Sequence, residues 1–84
     1  MRDMVGKRIQ FSGKVLDVYD DRSVQISDDA CEKLFTVVSL FQIPYENLLL
    51  INKDDYAIGF GTIKSIYMFL GISIEINVTS IDIQ

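Results

Sequence analysis

The side chains best equipped for chemistry in this 84-residue chain are carboxylates in pairs: Asp20-Asp21, Asp28-Asp29 and Asp54-Asp55, with Glu32 beside Cys31. Clustered carboxylates attract hard cations such as calcium or magnesium. None of the three pairs has the spacing of an EF-hand loop, and each stands where Asp is an ordinary turn residue that bonds its own backbone. They read as turn chemistry, with no metal expected. Paired carboxylates also hydrolyse glycosides, but nothing in the spacing sets the separation that reaction requires. The charge of Asp28, Asp29 and Glu32 around Cys31 disfavours its thiolate, and with it a reactive thiol. The chain has no His, no Trp and one Cys. That composition removes the common zinc sets, the Ser/His and Cys/His nucleophile pairs and every disulfide framework. No catalytic residue and no cofactor emerge, so the expectation is a non-enzymatic binding module.

Two sets of residues could do the binding. Tyr19, Arg22, Lys33 and Phe35, with Tyr45, combine aromatic faces and cations, as in platforms that stack single-stranded bases at about 1–3 kcal/mol each. In the competing reading Phe35 is core, because it shares its phase with Val37 and Phe41. Lys7, Arg8 and Lys14 add a modest basic cluster near the first strand, which could equally be a solvated edge. Eight Lys and Arg against twelve Asp and Glu leave a net charge of -4, whereas binders of phosphate backbones usually carry an excess of cations. The second set is the run Ile66-Tyr67-Met68-Phe69-Leu70-Gly71, apolar where a strand connection should be polar. Tyr67, Met68, Phe69 and Leu70 would then anchor a protein partner or a homodimer seam. If the flanking strands run longer, the same residues are core, each worth about 1.5–3 kcal/mol when buried.

The elements that position these residues are strands. Ile72, Ile74, Ile76 and Val78 alternate with Ser73, Glu75, Asn77 and Thr79, the pattern of a strand with one buried face. After Val78 the phase shifts to Ile81 and Ile83, as at a bulge. Ile9, Phe11 and Val15 share one phase and Leu16 and Val18 the other, with Gly13 between as the expected bend. Asp20-Asp21-Arg22-Ser23 predicts a turn, Val24 and Ile26 a short second strand, and Lys33 to Phe41 a third. Pro44 followed by Tyr45-Glu46-Asn47-Leu48-Leu49 predicts a helix of about two turns, with Pro in the first helical position and Glu at the positive end of the dipole. Asn52-Lys53-Asp54-Asp55 is the next turn, and Tyr56, Ile58 and Phe60 then alternate with Ala57, Gly59 and Gly61. The order is strand, strand, strand, short helix, strand, strand. No linker or repeat divides it, so residues 1–84 form one domain.

That order resembles the OB-fold superfamily, a five-stranded Greek-key barrel. Val5 to Val15 looks like the first strand of small bacterial OB domains of the tRNA-anticodon-binding-like and stress-protein types, and Asp54 to Ile63 looks like their fourth. Asp54-Asp55 departs from the Gly-Asp turn typical there. The resemblance implies an all-β, five-stranded OB-like Greek-key barrel with the helix between strands 3 and 4. It also implies ligand binding across strands 2 and 3 and the loops at Tyr19 to Arg22 and Ser65 to Gly71. Acidic relatives bind proteins instead. The expectation is therefore protein–protein contact of the inhibitor or adaptor type, with self-association open, and single-stranded nucleic acid as the alternative. A charged N-terminus and a longest uncharged stretch of Leu34 to Tyr45 offer neither a signal peptide nor a membrane span, so a cytoplasmic location is expected.

Overall fold

Period-two patterning becomes five strands in the computed structural model, which describes residues 4–29, 36–68 and 71–84. These are β1 (Arg8–Val18), β2 (Val24–Asp28), β3 (Thr36–Phe41), β4 (Tyr56–Met68) and β5 (Ile72–Ile83), with a one-turn helix α1 (Tyr45–Leu48) between β3 and β4. They close into a barrel in the order β1-β2-β3-β5-β4. β3 and β5 run parallel and the other neighbours antiparallel. Closure leaves one continuous interior, filled by Phe11, Val15, Val24, Ile26, Val38, Leu40 and Ile76.

β5 follows its sequence pattern. Ile76 and Val78 are buried, Ile74 packs against them, and Ile81 is buried after a register shift. Phe60 pairs with Ser80 but Gly61 with Val78, so Thr79 is the extra residue. A bulge there lets Val78 and Ile81 both face inward. On β1 the expected bend at Gly13 is corrected: the shift falls between Val15 and Asp17, leaving Val15 fully buried and Leu16 exposed. Gly13 has a different task. It pairs with Asp28 on one side and Ala57 on the other, and a Cβ there would lie 2.0 Å from the Ser27 carbonyl oxygen.

Three further expectations change. Val37 and Phe41 face outward while Val38 and Leu40 fill the interior, so the phase they share is the outer one; Phe35 itself lies outside the described residues. The helix is one turn rather than two, and Pro44 precedes it as the N-cap. The Pro44 carbonyl accepts the N–H groups of Asn47 and Leu48, while the flanking Ile43 and Ile51 anchor the segment in the core. Finally, Ser65 to Met68 are strand, not loop: β4 runs to Met68 and β5 starts at Ile72. The departure at Asp54-Asp55 is absorbed locally, because Asp54 adopts φ 75, a left-handed conformation Asp tolerates better than most residues.

On β4 the small residues point in. Ala57, Gly59, Gly61 and Ile63 line the interior, and Tyr56 and Phe60 are exposed. A Cβ on Gly59 would sit 2.2 Å from the Ser80 carbonyl oxygen and 2.7 Å from the Phe11 ring. Gly59→Ala should therefore destabilise the barrel by about 1–3 kcal/mol through overpacking, read as a lower urea midpoint at unchanged slope. An unchanged midpoint would remove close approach as the reason for glycine.

Candidate functional site

A second bulge shapes the far end of β4. Ile63 pairs with Ile76 but Ser65 with Glu75, so Lys64 is the extra residue. Beyond it the β4–β5 hairpin continues as Ile66 opposite Ile74, Tyr67 opposite Ser73 and Met68 opposite Ile72. Directly paired residues share a face. Ile66, Met68, Ile72 and Ile74 thus form an apolar row continuous with the interior side, and Tyr67 lies on the outer side with Ser73. The β4 strand of the hairpin outruns β1 here, because β1 pairs with β4 only as far as Thr62, with Gly6 and Lys7 bonding Ile63, while β5 stays paired with β3 as far as Ile72. Ile66, Ile72 and Ile74 are half-buried, while Tyr67 is 54% and Met68 70% exposed. Tyr67 and Met68 are neither a loop nor core. Phe69 and Leu70 lie outside the described residues.

The outer sheet beside the hairpin is largely uncharged. Val37 pairs with Ser73, Ser39 with Glu75 and Phe41 with Asn77. The Ser65 hydroxyl donates to the Glu75 carboxylate, and the Lys64 ammonium rests 4.6 Å from the Phe41 ring centroid, a cation–π contact. Neither Val37 nor Phe41 was marked as a surface residue by the sequence. The available signal was the neighbouring phase, Val38 and Leu40, which is equally apolar.

Of the alternative stacking platform, the structure brings Tyr19, Arg22 and Tyr45 together at the β1–β2 turn, where the Arg22 N–H bonds the Tyr19 carbonyl at 3.1 Å. Tyr19 is exposed at the β1–β2 turn and its hydroxyl donates to Gln25 at 3.2 Å. Arg22, at φ 68, places its guanidinium 5.1 Å from the Tyr45 ring centroid. Lys33 and Phe35 lie outside the described residues. Of the basic residues, Arg8 pairs opposite Thr62 and Lys14 opposite Tyr56, six residues and so about 20 Å apart along β1. Lys14 is also ion-paired with Asp54 at 3.3 Å.

The carboxylate pairs hold turns and strand ends. Asp21 accepts the hydroxyl and N–H of Ser23, which lowers its pKa. Asp28 accepts the Ser12 N–H at 3.3 Å, and Asp29 accepts the Ser12 and Tyr56 hydroxyls. Asp55 accepts the Asn52 N–H at 2.8 Å. Among the described residues no three Asp, Glu, Cys or His side chains are grouped to hold a metal, and no helix is long and apolar enough to cross a membrane.

A closed five-stranded barrel in this strand order, with a short helix between β3 and β4, is an OB-like architecture. Among solved structures it is similar to an OBody bound to hen egg-white lysozyme, with TM-score 0.66 and 18% identity over 96% of this chain and 84% of that one. At that identity the likeness bears on the fold. No protein-family model and no curated protein sequence matches the chain.

The Tyr56 hydroxyl, donating to Asp29, has its pKa raised first by that bond. Stability from the pair is then complete below the unfolded tyrosine pKa and is lost as pH rises through the folded one. Asp29→Asn should return the Tyr56 titration, followed by its ring carbon resonance, toward the ordinary tyrosine range. No change would remove the Asp29 bond as the cause.

Proposed function

We propose that the chain is a non-enzymatic binding module of the inhibitor or adaptor type that recognises a protein through the end of the β4–β5 hairpin. The observation that carries this reading is the exposure of Tyr67 and Met68 on regular strand. A rigid aromatic and a flexible thioether, held by a paired backbone, are side chains enriched where protein partners bury their contacts. Phe69 and Leu70 continue the same apolar run in sequence. The OBody with this architecture is bound to a protein, lysozyme, which supports a protein as the class of ligand. The separation of Arg8, Lys14 and Arg22 weighs against a phosphate backbone, which would need its cations on one track.

Tyr67→Ala with Met68→Ala should keep the fold and lose the partner. At about 2 kcal/mol per hot-spot side chain, affinity falls roughly thirtyfold for each of the two. Quantitative cross-linking capture from cell extract, with circular dichroism on both proteins, reads this directly. Equal recovery would reject the assigned surface. Salt-sensitive binding of labelled single-stranded DNA or RNA, measured by fluorescence anisotropy, would instead favour a nucleic-acid ligand.

A further inference from the structure

The β4 edge of the hairpin exposes backbone as well as side chains. Along β4 the groups directed toward β1 belong to alternate residues, and Ile63 is the last of them to be satisfied: its N–H bonds the Lys7 carbonyl at 3.0 Å and its carbonyl accepts the Gly6 N–H at 2.7 Å. The bulge at Lys64 resets the alternation by one residue. From there an antiparallel ladder turns Ser65 and Tyr67 toward β5 and directs the N–H and C=O of Ile66 and Met68 away from it. Among the described residues no strand pairs with that side of 64–68. Among the described residues it is an open edge, extended and apolar, of the kind that templates another strand.

We propose that this edge pairs antiparallel with the same edge of a second copy of the chain, about a two-fold axis at Tyr67. The proposal rests on the reading of the hairpin as a protein-contact surface and names its partner. Centred there, Ile66 of one copy bonds Met68 of the other and the reverse, so the outward groups of both residues are satisfied by an isologous contact that closes on itself. Tyr67 meets Tyr67 in the close, non-hydrogen-bonded position, where side chains approach most nearly. The row of Ile66, Met68, Ile72 and Ile74 becomes continuous across the axis.

Charge selects a second copy over other occupants. Two chains of net charge -4 repel, and they approach at least cost where carboxylates are few. The turn acids Asp20, Asp21, Asp54 and Asp55 stand at the opposite ends of β3 and β4 from the hairpin; at its own end Asp28 closes β2 beside the start of β3, and Lys7 and Arg8 stand beside Ile63 and Thr62. Residues 64–68 carry Lys64 and no acid, and Glu75 beside them is bonded by Ser65. A basic peptide would gain little from so neutral a surface, whereas an identical edge meets no like charge.

Sedimentation equilibrium of the full chain from micromolar to millimolar concentration tests this. The expected result is a mass rising toward twice the monomer. Met68→Pro, which removes an N–H that β5 does not use, should keep the protein monomeric throughout. In a Cys31→Ser background, Tyr67→Cys should oxidise to a cross-linked dimer because a non-hydrogen-bonded antiparallel pair suits disulfide geometry; Tyr19→Cys, on the β1–β2 turn, should not. A wild-type chain monomeric at every concentration overturns the proposal. So does a dimer that cross-links no faster through position 67 than through position 19, a readout that holds even if the proline variant does not fold. If self-pairing fails while Tyr67→Ala with Met68→Ala still abolishes capture of a different protein, the contact surface stands and only the second copy is rejected.

Discussion

The bore of a five-stranded barrel is narrow, and Phe11 and Ile76 already occupy it where β4 passes. A side chain at Gly59 would strike the Phe11 ring and the Ser80 carbonyl, and one at Gly61 would come within 2.5 Å of Ile76 and of the Asn77 carbonyl oxygen. β4 can close the wall between β1 and β5 only by presenting Ala57, Gly59 and Gly61 to the interior. The larger residues of the same strand must then go outside, which is why Phe60 is 44% exposed in a domain with little apolar side chain to spare. Native packing density leaves no slack for the opposite arrangement.

The same limit explains the bulges. A strand that stays in one register cannot follow a tightly curved wall and keep one face inward, and each inserted residue adds local bend and twist. Leu16 on β1, Thr79 on β5 and Lys64 on β4 are those residues. The first two return apolar side chains to the core. Lys64 does something else: it sits where β1 stops accompanying β4, and beyond it β4 continues on β5 alone while β5 stays paired with β3.

Electrostatics divides the molecule along its strands. Carboxylates are spent on turns, where Asp21, Asp29 and Asp55 accept hydrogen bonds that hold the connections, and cations are spread singly, with Arg22 and Lys64 laid on aromatic rings. Residues 64–68 of the hairpin carry Lys64 and no acid.

By itself the sequence determined the element types and their order, because period-two alternation, turn residues and Pro44 are local signals read by the backbone without reference to the rest of the chain. The phase shift after Val78 was legible for the same reason, since it records a bulge within one strand. What alternation does not carry is which of two apolar faces is inside. Val37 and Phe41 against Val38 and Leu40, or Tyr56, Ile58 and Phe60 against Ala57, Gly59 and Gly61, are symmetric patterns until neighbouring strands occupy the bore. Nor does it mark where a partner strand ends. Tyr67 and Met68 were legible as unusual residues, but their status as exposed strand was decided only in three dimensions, by β1 stopping opposite Thr62 while β5 continued to Met68.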